Sequence, residues 1–479
     1  MHPEVVMSQP KIVATIGLHT SGADPLRKLV DCGMDVARLN AAHSDLPWHA
    51  RTIDLIRTVA PHVPIILDLP GCKVRTGPLE RELHFDTGDR ITFTTAQCNG
   101  NSGRIPVTGA ELHEKLNVAD VLSAEDGALR FTVLEVVGQE VICRADAPGV
   151  LGSCKGIGLP SSTHSGLLTD RDRQILALAI EKQVDFVGVS FVASRAHIRS
   201  VRELVPDGVP RVIAKIESQE GLDHLEEIAE EADALMVDRG DLSVQTSLES
   251  LVTSQKHILK VARTAARPVI IATELLHTMI ANPFPTKAEV SDISNAVLDG
   301  ASAVMLSGET AIGKYPFEAV GFMKQIAASA SHYEQADLDR QMELGPRNIP
   351  SAVAEAVSLI CRRLPVTKIV AITIGGYAAR MVAASRPRQP LLAVSNDAAA
   401  ARSFNLMPGT EGIHVDIPFS RTSTDHIARC LQILWRRKKL VEEDLVLVTS
   451  LGYPRSGNRM NMIQTHSISD LRQVLNWKA

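Results

Sequence analysis

Short β-branched runs bounded by Gly, Pro or Asp recur along the chain as far as Leu306, and segments of helical period lie between most of them. Eight can be counted: Lys11 to Ile16 (KIVATI), Met34 to Asn40 (MDVARLN), Pro64 to Leu69 (PIILDL), Asp185 to Val192 (DFVGVSFV), Arg211 to Glu217 (RVIAKIE), Ala234 to Val237 (ALMV), Pro268 to Thr273 (PVIIAT) and Ser302 to Leu306 (SAVML). Most successive starts lie roughly 20 to 35 residues apart, the length of one strand-plus-helix unit. Eight such units in series predict an α/β fold built on a closed (β/α)8 barrel.

The interval from residue 70 to residue 184 is too long for a single helix, and its middle alternates in the manner of strands (Arg90 to Thr95, Leu129 to Val137, Glu140 to Arg144), with turn signals at Thr87-Gly88-Asp89 and Asp126-Gly127. An inserted β-barrel domain over 70–160 follows. Beyond residue 335 the alternation restarts at Lys368 to Thr373, Leu391 to Val394 and Asp444 to Thr449. These runs come too late to belong to a closed barrel of eight. The expected organisation is therefore a barrel from 1–69 and 161–335, the insert over 70–160, and a C-terminal α/β domain over 336–479.

Composition narrows the function. Of the 479 residues 45% are apolar and 22% charged, which fits a folded multi-domain protein and excludes disorder as the main theme. Lys and Arg total 50 against 55 Asp and Glu, leaving a net charge of -5 and no basic stripe for a nucleic-acid backbone. The run Trp435-Arg436-Arg437-Lys438-Lys439 reads as a solvated helix end. Seven scattered cysteines with no CxxC pair suit free thiols in a reducing compartment. The opening MHPEVVMSQP is too short and polar for a secretory signal, and no apolar run reaches membrane-spanning length, so the expected location is the cytoplasm.

Active sites on such barrels sit at the C-terminal ends of the strands, and here those ends are strongly polar. They carry Arg38 and Asn40, Asp68, Lys215 and Glu217, Arg239-Gly240-Asp241, Thr273 and Glu274, and Ser307-Gly308-Glu309. Lys215 and Glu217 lie two apart on a strand and so share a face. Glu217 and Asp241 suit Mg²⁺, a hard ion that takes a few carboxylates and leaves its other positions to water and substrate oxygens. Arg38 and Lys215 would supply the positive charge that a transferring phosphoryl group requires. An ion-pair layer plugging the barrel mouth is the plain structural alternative, but burying that many charges without a ligand is costly.

These residues also carry a resemblance. KIVATIG, GMDVARLN, AKIESQEG, RGDL, NAVLDGASAVMLSGETAIGKYP and NMIQTHSI resemble, in order, successive motifs of the pyruvate kinase family, from about residue 10 to the C-terminus. The resemblance implies a catalytic barrel, an inserted lid and a C-terminal α/β domain. It also implies transfer of a phosphoryl group from phosphoenolpyruvate to ADP, giving pyruvate and ATP in glycolysis, in a homotetramer. By position, Lys215 would stabilise the phosphoryl group and Arg38 hold it. Glu217 and Asp241 would bind Mg²⁺, and the amides of Gly240 and Asp241 with the Thr273 hydroxyl would hold the substrate carboxylate. Thr273 and Glu309 would serve the proton relay. Arg75 and Lys155 match positions near the nucleotide phosphates, and His43 one near the nucleoside.

The chain departs from the family pattern at several places. The usual monovalent-cation ligands Asn, Ser, Asp and Thr become Asn40, Ala42, Asp68 and Leu69, and Lys73 stands where potassium-dependent members carry Glu. An ammonium there would replace the ion's charge, so activity without K⁺ is expected. Asp238 and Glu274 add two negative charges near the expected substrate, where they would repel its carboxylate unless they turn away, pair with Arg239 or Lys287, or help to bind metal. Leu18, Ala42 and Arg171 also differ from the pattern on the nucleotide side. The loop Thr373-Ile374-Gly375-Gly376-Tyr377-Ala378 matches an allosteric sugar-phosphate loop that has lost most of its hydroxyls; its backbone amides could still bind a phosphorylated effector. Two rival readings remain at this stage: a Mg²⁺-dependent barrel enzyme acting on another pyruvate-like enolate or acceptor, and a non-catalytic paralogue.

Overall fold

A computed structural model describes the chain from Gln9 to Trp477, apart from residues 72–73, 97, 102, 109–111, 115, 125–128, 154, 160–167, 338–347, 421–422 and 451–459, and without side chains at 207 and 334–337. Lys73 and the Asp126-Gly127 turn lie outside the described residues.

Eight parallel strands close into a barrel: Lys11–Thr15, Val36–Asn40, Ile65–Asp68, Phe186–Val189, Arg211–Ile216, Ala234–Asp238, Val269–Ala272 and Ala303–Leu306. All eight expected runs are strands, trimmed by a residue or more at most ends. The two-residue period explains how the barrel is filled. Val36, Ile66, Ile213 and Met236 point inward and form an apolar lower plug together with Ile270 and Met305. Two residues further along the same strands, the inward positions are Arg38, Asp68, Lys215 and Asp238, all buried. One layer of the barrel is therefore apolar and the next ionic, and the ionic layer is the one nearest the active-site end.

Gly188 makes room for this layer. A Cβ there would lie 2.0 Å from Asp68 Oδ1, so only glycine leaves the carboxylate its place. The first helix after the insert starts with a capping box in which the Thr169 hydroxyl and the Asp172 carboxylate exchange hydrogen bonds with each other's backbone amides. Asp172 also accepts from the Gly71 amide at 3.0 Å, so the two chain crossings into the insert are tied at one point.

The insert is a seven-stranded sheet ordered Ile157–Gly158, Val121–Ala124, Leu129–Val137, Glu140–Ala145, Arg90–Thr94, Arg104–Thr108, Arg75–Thr76. A bridge between Arg75 and Gly156 returns its last strand to its first, which rolls the sheet around Phe93, Phe131 and their apolar neighbours. Toward the C-terminus a five-stranded sheet runs Thr410–His414, Leu391–Ser395, Lys368–Ile372, Leu445–Ser450, Met462–Ser467, parallel except for the last strand. Two of these five were not expected from the sequence. This region docks on the lower end of the barrel, where Leu406 joins the barrel's interior cluster, Arg402 pairs with buried Asp185 at 3.0 Å and Lys11 donates to the Thr410 carbonyl at 2.8 Å. No helix among the described residues is long and apolar enough to cross a membrane.

Candidate active site

The fifth strand delivers Lys215 and, just past its end, Glu217. The ammonium lies 2.5 Å from Glu217 Oε1 and 3.2 Å from Asp238 Oδ2, and it donates to Ser190 Oγ at 3.2 Å. Glu217 is wholly buried, and its other oxygen accepts the Phe191 amide at 2.6 Å. Burial works against the Lys215 charge, but Glu217, Asp238 and Asp68 outweigh it and hold the amine protonated, well above the usual lysine range. Burial pushes the Glu217 carboxyl up to about 8; Lys215 opposes the rise, and the negative charges of Asp238 and Asp241 add to it. The cluster thus holds more negative charge than one ammonium neutralises.

Ligand oxygens of Glu217, Asp238 and Asp241 all lie within 4.8 Å of one another. Three carboxylates converging on one spot at a barrel mouth, one of them completely buried, fit a hard divalent cation. Asp238 therefore does not turn away. It joins the two expected ligands and shares Lys215 with Glu217, whereas Glu274 is exposed. Arg239 pairs with neither of these acidic residues but with Asp292, at 2.7 and 2.9 Å.

On the facing strands, Arg38 donates to Asp68 Oδ2 at 2.9 Å and to the Thr15 hydroxyl at 3.1 Å. Asp68 Oδ1 is buried and has no hydrogen-bond partner among the described residues, and Asn40 Oδ1 accepts the Ala42 amide at 3.1 Å. Thr273 adopts φ +68° and Glu274 φ +56°, a left-handed pair that is costly for a β-branched residue. The turn is held in place: Arg239 donates to the Thr273 carbonyl at 2.6 Å, and the Thr273 hydroxyl accepts the Gly240 amide at 2.8 Å. Both oxygens of Glu309 accept backbone amides, from Leu276 at 3.1 Å and Ser307 at 2.8 Å, so this carboxylate braces the same turn from beneath.

The residues expected on the nucleotide side lie at the rim. Arg75 and Lys155 occupy adjoining segments of the insert, joined where the Thr76 amide donates to the Lys155 carbonyl at 2.8 Å. His43 is exposed, yet desolvation, followed by the positive charges of Arg75 and Arg38, lowers its pKa below the ordinary histidine value. Arg171 reaches the Ser44 carbonyl at 3.5 Å. Sequence reading passed over Thr15 and Ser190, although each is a polar residue within a predicted strand, near its C-terminal end. Asp292, which anchors Arg239 from a helix, gave no signal at all.

A closed (β/α)8 barrel whose mouth buries a lysine, an arginine and converging carboxylates defines a barrel enzyme, and one built to handle anions. Comparison with known proteins gives the family. Residues 7–320 match the family model described as pyruvate kinase, barrel domain, and residues 351–466 match pyruvate kinase, alpha/beta domain. Pyruvate kinases from Geobacillus stearothermophilus and Mycobacterium intracellulare are each 35% identical to it across 96% of this chain, over 80% and 98% of their own lengths. A pyruvate kinase from Thermococcus litoralis is 33% identical over 96% of this chain and 99% of its own. The chain belongs to the pyruvate kinase family and is a phosphotransferase.

Proposed function

We propose that the protein is a Mg²⁺-dependent pyruvate kinase that moves the phosphoryl group of phosphoenolpyruvate to ADP, the ATP-forming step of glycolysis. The observation that carries this reading is Lys215, buried between Glu217 and Asp238 and facing Arg38 across the barrel mouth. The bond between phosphorus and the enol oxygen breaks as one to an ADP β-phosphate oxygen forms. Lys215 and Arg38 face the charge spread over the phosphoryl oxygens in flight. The Gly240 and Asp241 amides and the Thr273 hydroxyl hold the substrate carboxylate, and the enolate left behind takes a proton at carbon to become pyruvate. Thr273 stands next to that step, with Glu309 fixing the turn that presents it. Arg75, Lys155 and His43 receive the nucleotide, and closure of the insert excludes water that would divert the phosphoryl group.

Glu217, Asp238 and Asp241 would hold the divalent cation, which supplies positive charge to the substrate oxygens and offsets the excess negative charge of the cluster. Asp238 thus serves as a third carboxylate and not as a source of repulsion. Without the hydroxyls of the family's monovalent-cation site, and with Asp68 already neutralised by Arg38, the reaction runs without K⁺. Ala42 and Leu69 offer no side-chain oxygen, and Lys73 is read as the ion's stand-in. A homotetramer in the cytoplasm, with a phosphorylated effector at the Thr373–Ala378 loop, belongs to the same reading.

Lys215→Met should lower kcat by roughly 10²–10³-fold with a smaller change in KM, and EDTA should abolish turnover until Mg²⁺ is restored. Unchanged kcat in Lys215→Met would refute the assignment.

A further inference from the structure

The turn that follows the fourth barrel strand grips Lys215 at both ends. The Val192 amide donates to the Lys215 carbonyl at 3.3 Å, and the Ser190 hydroxyl accepts from the ammonium at 3.2 Å. Ser190 is the first residue past Phe186–Val189 and is buried. Its own proton goes the other way, to the Leu69 carbonyl at 2.9 Å. Leu69 is the first residue past the third strand, where the chain leaves the barrel for the insert, and its amide donates to the Gly188 carbonyl at 2.8 Å. A hydroxyl whose one proton is committed to a carbonyl, with a lone pair turned to an ammonium, is fixed in its rotation.

The same turn is pinned to the hinge of the insert. Gly71 has φ +66°, and a Cβ on it would lie 3.0 Å from Ser190 Cβ, so the hinge backbone packs directly on the serine. Asp172 holds the Gly71 amide from the returning chain. The next residue of the turn, Phe191, is left-handed at φ +51°. Its amide donates to Glu217 Oε2 at 2.6 Å, and the His197 ring hydrogen-bonds to its backbone. His197 is itself buried within reach of the Asp172 charge. Hinge, turn and helix therefore close a ring that includes Ser190.

The partners of Lys215 differ in what they do to its charge. Glu217 and Asp238 cancel it, and both are given to a divalent cation in the reading above. A serine hydroxyl orients an ammonium and leaves its charge whole for the phosphoryl oxygens. We propose that Ser190 is a positioning residue for phosphoryl transfer: its hydroxyl, fixed by the hinge carbonyl of Leu69, aims the Lys215 ammonium. The proposal rests on the kinase reading and adds to it a residue that acts only through Lys215.

The test is a double-mutant cycle read by steady-state formation of pyruvate from phosphoenolpyruvate and ADP, with Mg²⁺ and K⁺ both present. Ser190→Ala, and Ser190→Cys, which keeps a side chain of similar size but accepts hydrogen bonds weakly, are each made in the parent and in Lys215→Met. In the parent both should lower kcat roughly tenfold, while the KM for either substrate moves less than about twofold. In Lys215→Met there is no ammonium to aim, so neither should lower the residual kcat by more than about twofold. Thermal midpoints report folding, and two variants are carried so that one that fails to fold leaves the other to decide. Equal losses in both backgrounds would give Ser190 a merely structural role and overturn the proposal, as would an unchanged kcat in the parent or a loss confined to KM. A parent without turnover would instead refute the kinase reading, and the proposal with it.

Discussion

Asp238 adds a third carboxylate beside Glu217 and Asp241. From sequence it reads as repulsion aimed at the substrate; in the folded chain it stands 3.2 Å from Lys215 and completes a group of three carboxylates. Asp238→Ala should therefore weaken Mn²⁺ binding roughly tenfold in the absence of substrate, measured by paramagnetic resonance of the free ion. An unchanged dissociation constant would remove Asp238 from the site. Glu309 gives a second prediction at this scale. Both its oxygens accept amides in a buried place, so Glu309→Gln turns an NH₂ toward an N–H and should cost about 1–3 kcal/mol, seen as a lower thermal midpoint. A midpoint equal to that of the parent would mean that the turn does not depend on this brace.

The strands explain why so much of the site was legible. A two-residue period fixes which side chains enter the barrel, and a run such as Ile213-Ala214-Lys215-Ile216-Glu217 announces its functional end by the change from apolar to charged on one face. The strand Thr410–His414 (TEGIH) escaped because it has a single β-branched apolar residue and a glycine; its pairing with Leu391–Ser395 supplies what propensity does not. The last strand, Met462–Ser467, lay inside a motif noted only for its resemblance. Asp292 was illegible for a different reason: it acts from a helix, across space, on a residue 53 positions away. Gly188 tests the strand argument directly. Gly188→Ala would drive a methyl into Asp68, cost roughly 1–3 kcal/mol by overpacking, and raise the KM for phosphoenolpyruvate by loosening Arg38. A variant with normal stability and KM would show that Asp68 does not need this space.

At the scale of the molecule, the order barrel, insert, barrel, C-terminal sheet follows from spacing alone, but how the parts dock does not. Leu406 closing the lower end of the barrel is a product of tertiary contact. Buried histidines give the whole chain a pH response. Burial lowers the pKa of His49, His197 and His426 below the ordinary 6.5. The unfolded chain then takes up protons first as pH falls, so stability should drop below about pH 6.5. Glu217, raised in the fold, titrates with the opposite sign, and the measurement belongs in the Glu217→Gln background. There the thermal midpoint should fall between pH 7.5 and 5.5; a flat or rising midpoint would contradict the assignment of neutral buried histidines.

The central claim is tested most directly by steady-state formation of pyruvate from phosphoenolpyruvate and ADP with Mg²⁺, in potassium-free buffer and again with added K⁺. The account predicts robust turnover in the first and no more than marginal stimulation in the second. Turnover only with K⁺ would contradict the reading of Asn40, Ala42, Asp68 and Leu69, and no turnover in either would contradict the pyruvate kinase activity itself.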